Sequence, residues 1–236
     1  MKGRRSMNGA ELAARYAFPP NSRGYCGRRS FAAALKSGRR LKAELKKFPV
    51  HYGYLSLIAR ANRKKPFDME VVRAFWTGNR LLGSVRPSAV RSFLRRIVKN
   101  PARAEKLAGS LPPGIAPHHS FNALYVNFAT DKAARSARNY DSCCVTSGKI
   151  LSVSRDSAII RRCSIARKAG RLAFVQKTGR VALEKNGVRF VDSPKKGDTV
   201  SIHWGMAIER LAPEQSAALK RYTLKNIAAV NGAAKR

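Results

Sequence analysis

Acidic residues are scarce in this 236-residue chain, where 13 Asp and Glu stand against 48 Lys and Arg for a formal charge of +35. So few carboxylates leave no pair spaced for general acid and base work. Long apolar runs are missing as well. None reaches the ~18–20 residues that a membrane-spanning helix requires, and Glu11 and Arg15 break the apolar stretch nearest the start, so no secretory leader is expected. Cysteine is limited to positions 26, 143, 144 and 163, without C-x-x-C pairs or a dense framework. That excludes a zinc module and a disulfide-stapled secreted scaffold, and the adjacent Cys143 and Cys144 are poorly placed to bridge each other. A cytoplasmic chain with reduced thiols is expected, with Met7 as natural a start as Met1. No P-loop, Gly-x-Ser-x-Gly, His-Glu-x-x-His or Rossmann fingerprint occurs, so no common enzyme class is indicated.

The positive charge is spread out. Residues 1–117 hold 26 basic and 5 acidic side chains and the remainder hold 22 and 8, singly or in short groups among apolar positions rather than in one block. Such a surface attracts polyanions, so non-specific nucleic-acid binding is one expectation and an ordinary solvated basic surface is the other. The 44% of hydrophobic residues suffices for normal cores.

Periodicity divides the chain. Residues 11–108 read as helical, most clearly where Val90, Phe93, Leu94, Ile97 and Val98 form one stripe, with further helices after Asp68 and around Leu41, Leu45 and Phe48. The segment Phe18-Pro-Pro-Asn-Ser-Arg-Gly-Tyr-Cys-Gly27 reads as a shaped loop that carries the first cysteine. Ser110–Pro117 is a proline-rich linker and the expected boundary between domains 1–117 and 118–236. Beyond it the period becomes two, from Leu124, Val126 and Phe128 to Val200 and Ile202. Turns are expected at Arg155-Asp156, Ala169-Gly170, Thr178-Gly179, Asn186-Gly187 and Lys196-Gly197. Many short strands predict a barrel, and a final helix is expected from Pro213 to about Asn231-Gly232.

Two segments carry a resemblance. One is Cys143-Cys-Val-Thr-Ser-Gly148-Lys149-Ile150; the other is Lys196-Gly-Asp-Thr-Val-Ser-Ile-His203-Trp-Gly205-Met-Ala-Ile208. In order and spacing they resemble the HypC/HupF-type hydrogenase-assembly chaperones over roughly residues 141–222. The departures are an internal cysteine, where the chaperones have one that follows the initiator Met, and Ser147 in place of Pro. The whole chain also resembles an uncharacterised family of similar length, through Ala17-Phe-Pro-Pro-Asn21, Gly24-Tyr-Cys-Gly27 and Ala74-Phe-Trp-Thr-Gly-Asn79.

The chaperone resemblance implies a non-enzymatic chaperone or adaptor of nickel–iron hydrogenase maturation. Its implied partners are assembly proteins or the hydrogenase large subunit. Cys143 and His203 would hold iron that bears cyanide and carbonyl, with Cys26 a possible third ligand and Gly148, Lys149, Trp204 and Gly205 as partner contacts. Thiolate and imidazole suit iron, and nearby Lys149 is expected to lower the thiol's pKa. His118 and His119 read as strand caps or metal ligands, Cys144 and Cys163 as packing, and Trp76 and Trp204 as core or interface aromatics. The expected fold class is α+β: a helical domain, then a small OB-like barrel with a C-terminal helix. The competing expectation is a basic nucleic-acid-binding protein using the barrel and helical surface.

Overall fold

The computed structural model describes residues 7–27, 30–127 and 137–233. The chain starts as α1 (Gly9–Asn21), whose first turn is closed by a capping box between Asn8 and Glu11. Pro19 and Pro20 were expected to forbid helix, yet α1 runs through both. They sit in its last turn, so the helix loses only the donors to two carbonyls, those of Arg15 and Tyr16 four residues back, and the loop is confined to the residues after Asn21. The Tyr16 oxygen takes its hydrogen bond from elsewhere.

Helices α2 (Ser30–Ser37), α3 (Leu41–Lys46), α4 (Pro49–Ala61) and α5 (Met69–Trp76) follow. After a 3₁₀ turn at Arg80–Ser84 come α6 (Pro87–Ile97) and α7 (Pro101–Gly109). The expected stripe on α6 is buried at Val90, Phe93 and Leu94 and half-buried at Ile97 and Val98. One apolar cluster takes in Tyr16, Tyr54, Phe75 and Phe93 from the helices together with Val145, Met206, Ile208 and Leu219 from the C-terminal half.

The first expected strand is a correction. His119–Phe121 forms the short helix α8, and Asn122–Val126 continues it as a π-helical turn, so Leu124 and Val126 are buried on a helix and Phe128 lies outside the described residues. All of Ala123, Leu124, Tyr125 and Val126 are buried, and a short fully buried run has the same appearance on a helix as on a strand.

Strands begin after α9 (Ala137–Cys143): β1 (Thr146–Val153), β2 (Ser157–Lys168) and β3 (Arg171–Ala182), a small pair β4 (Glu184–Lys185) and β5 (Val188–Arg189), then β6 (Thr199–His203) and β7 (Met206–Arg210). The architecture is mixed α+β. Five strands pair in the order β1-β2-β3-β7-β6 with β6 returning to β1, and the β3–β7 link is one parallel pair, Ala182 with Met206. Ile150, Ile160, Val181, Val200 and Ile202 fill the inside. Ala169-Gly170 and Asn186-Gly187 make left-handed turns, as expected. Thr178-Gly179 does not turn, because it lies inside β3 paired with Arg161 and Ile160.

The last helix, α10 (Pro213–Ala233), includes Asn231-Gly232 and is pinned by two amide side chains. Asn226 accepts from the Ala116 N–H at 2.8 Å and donates to its carbonyl at 3.0 Å, while Asn231 does the same to Leu172 at 2.9 and 2.8 Å. The proline-rich segment is thereby held against α10. Among the described residues no helix is long and apolar enough to cross a membrane.

Candidate functional site

The carbonyl orphaned by Pro20 finds its donor across the molecule. His203, the last residue of β6, places Nδ1 2.7 Å from the Tyr16 oxygen and Nε2 3.1 Å from the Cys143 oxygen. Burial lowers the imidazole's pKa to about 4, although both carbonyls favour its proton. A neutral ring has one N–H, and the shorter contact assigns it to Nδ1. Nε2 is left facing the Cys143 carbonyl.

His203 thus meets Cys143 at its main-chain oxygen and not at its sulfur. The join between the two segments is made next to it, by a bond from the Trp204 N–H to the Ser142 oxygen at 2.9 Å. On the other side of α9, Asp141 accepts from Arg162 at 2.6 Å and from the Ile165 N–H at 2.9 Å, docking the helix on β2. The Cys143 backbone is fixed from both sides. Sequence alternation left His203 outside the core, but it is buried, because α1 and α5 cover that face of β6.

Cys143 lines a cavity of about 410 Å³. Cys26 enters it from the loop after α1, His51 from the first turn of α4, Trp76 from the end of α5, His119 and Asn127 from α8 and its continuation, and Trp204 from the turn after β6. Among the described residues none that lines it is Lys, Arg, Asp or Glu, in a chain whose net charge is +35. Trp76 is the hub. Its ring lies 4.4 Å from His119, 5.2 Å from His51, 5.3 Å from His203 and 4.9 Å from a stacked Tyr16.

Electrostatics in the cavity follow from burial of its lining groups. The Cys143 thiol is pushed up to about 12, first by burial, then by the neighbouring Cys26, against an opposing hydrogen bond from Asn127. Burial likewise raises Cys26, although that residue as a whole is exposed on its loop. The expected lowering by Lys149 is a correction: Lys149 is exposed on β1, between Arg161 and Thr199 on the neighbouring strands, and desolvation controls the thiol. Both cysteines are thiols at neutral pH until something displaces their protons. Burial also brings His51 down to about 3 and His119 well below its ordinary range.

The other expected site residues are scattered in role. Gly148 is buried, and a Cβ there would run into Ile160 and Arg162, so it is needed for β1 to lie flat on β2. Trp204 is half-buried and stacks on Tyr25 at 4.4 Å, and Gly205 is exposed in a left-handed turn. Cys144 is buried among Leu124, Tyr140 and Ile165. Cys163 is half-buried away from the cavity, beside Gln176. His118 caps α8 by accepting from Ser120 rather than starting a strand. His51 was missed by sequence reasoning; a lone histidine two residues after a helix-initiating proline carries no signature.

A family of unknown function, DUF6390, matches residues 5–236. The chain belongs to that family, in keeping with the resemblance of its full length to an uncharacterised family. No curated protein and no solved structure is matched by it.

Proposed function

We propose that the chain is a non-enzymatic carrier that holds a small iron-bearing cargo in the Cys143 cavity, as a chaperone or adaptor in nickel–iron hydrogenase maturation. One observation carries the reading: two thiols from segments more than a hundred residues apart, Cys26 and Cys143, open on one uncharged, aromatic-walled cavity. Soft sulfur ligands in an uncharged site favour a soft, low-charge guest over a hydrated ion. Among the described residues no three His, Cys, Asp or Glu cluster as a metal-ligand set. A bare ion would lack a cage, whereas an iron that arrives with cyanide and carbonyl needs only one or two sulfurs.

Sequence and topology support the same reading. Both signature segments meet at the cavity, with Cys143 and His203 each on its wall. We read the barrel as OB-like, since the order β1-β2-β3-β7-β6 with β3 and β7 parallel is that of a five-stranded Greek-key barrel. In this arrangement Cys143 is the principal sulfur ligand and Cys26 the second, the Trp204 N–H holds the Cys143 segment through the Ser142 oxygen, and His203 ties β6 to α1 through the Tyr16 carbonyl. Ligation expels the Cys143 proton as the Fe–S bond forms, so cargo affinity rises with pH.

The test is to produce the protein anaerobically with hydrogenase-assembly proteins and record its infrared spectrum. The expected result is iron accompanied by cyanide and carbonyl stretching bands. Iron-free protein without such bands, from cells that assemble active hydrogenase, would overturn the reading.

A further inference from the structure

The aromatic lining of the cavity has its own unmet chemistry. The Trp76 indole nitrogen, both ring nitrogens of His51 and Nδ1 of His119 are buried without a hydrogen-bond partner. All three residues line the cavity and are at least nine-tenths buried, at 4%, 9% and 6% exposure. Leaving a buried polar group unsatisfied costs about 1–3 kcal/mol, and of these nitrogens the indole and one of the two on the neutral His51 ring must be donors, so the wall marks a place where a guest supplies acceptors.

The indole can only donate, which fixes the sign of its partner. Among the described residues no carboxylate lines the cavity to hold a cationic guest, and the field of a +35 chain favours a negative one. With no Lys or Arg among the described lining residues and with Phe48, Pro49 and Phe75 in the walls, the cavity selects against strongly hydrated anions, which lose more on entering than these donors return.

We propose that His51, Trp76 and His119 form a receptor for small, weakly hydrated linear anions of the pseudohalide class, cyanide-like in carrying an acceptor atom at an exposed end. The anion enters either free or already bound to a metal. The proposal rests on the cavity being a cargo site and adds which wall reads the cargo: the thiols take the metal side, and the donor wall takes the outer atoms of its ligands.

The free-anion arm uses potassium thiocyanate with purified, cargo-free, full-length protein. The indole N–H signals of Trp76 and Trp204, assigned with W204F, are followed by nitrogen-15 NMR in a background of high sodium chloride. Salt at that level screens adventitious surface binding. The expected result is saturable movement of the Trp76 signal that chloride does not reproduce. W76F, which keeps a ring but loses the donor, should weaken thiocyanate binding about tenfold, the size expected of a hydrogen bond to a charged group. His51→Phe serves as the second donor deletion if W76F folds poorly.

Cys143→Ala should leave thiocyanate binding unchanged. Loss of binding in that variant would put the anion on sulfur and overturn the wall assignment, as would a Trp76 signal that never moves. The metal-bound arm compares the infrared bands of cargo-loaded wild type and W76F. A shifted cyanide band supports the wall, and an unshifted one contradicts it. Bands without any thiocyanate response would leave the carrier reading standing and remove this one.

Discussion

The protein should unfold on mild acidification, with a midpoint near pH 5 that persists in high salt. His51, His118 and His203 are buried with pKa values held down to about 3, 3 and 4, and His119 lies well below its ordinary value. Burial is the first cause for each. In the unfolded chain these rings titrate near 6.5. Folded pKa values below unfolded ones mean that the unfolded state binds more protons, so the neutral rings contribute fully above pH 6.5 and that stability is lost as pH falls toward 4. Two pH units below 6.5, each ring whose folded pKa lies near 3 or 4 costs roughly 3 kcal/mol. Three or four together approach the roughly 5–15 kcal/mol that a whole domain possesses.

Circular dichroism against pH, at low and at high sodium chloride, checks this prediction. Self-repulsion among the basic side chains also grows in acid, but salt screens it, whereas the desolvation of buried imidazoles is insensitive to salt. A native signal that survives to pH 3.5, or a transition that high salt abolishes, would contradict the assignment of the acid limit to the histidine cluster.

The second large effect concerns sulfur. Cys143→Ala should strip the bound iron and its infrared bands from anaerobically prepared protein, because it removes the thiol whose backbone is held by the Trp204 N–H on Ser142 and by the docking of Asp141 on β2. Cys26→Ala should lower occupancy without abolishing it, since its loop supplies the second sulfur. Cys163→Ala should change nothing, being half-buried away from the cavity. His203→Ala acts differently: it leaves the Tyr16 carbonyl with no donor, a loss of about 1–3 kcal/mol, and loosens β6 from α1 beside the cavity. Urea unfolding of each variant separates stability from cargo loss. Cys143→Ala that folds normally and keeps its iron would remove the central residue from the proposal.

Much of the fold was legible because its signals are periodic or stereochemical. The α6 stripe and the Ala169-Gly170 and Asn186-Gly187 turns each follow from spacing or from a required left-handed backbone. Readings failed where one local pattern fits two structures. Ala123–Val126 is buried on all sides, so period two gave no reliable sign of a strand. Pro19 and Pro20 looked like helix breakers, but a helix can end on prolines when a distant side chain answers the freed carbonyl. Within the site, Cys143, His203 and Cys26 were visible through motif and glycine context. His51 and the hub role of Trp76 were not, because they depend on α4 and α5 meeting β6 in space, and no spacing along the chain encodes that meeting.

The central claim is that sulfur from Cys143 holds iron inside the cavity, and X-ray absorption at the iron edge of anaerobically purified, cargo-bearing protein tests it most directly. The account predicts a sulfur shell around iron together with short carbon scatterers, with the sulfur contribution lost in Cys143→Ala. Iron coordinated only by oxygen and nitrogen, or a sulfur shell that persists unchanged in that variant, would contradict it.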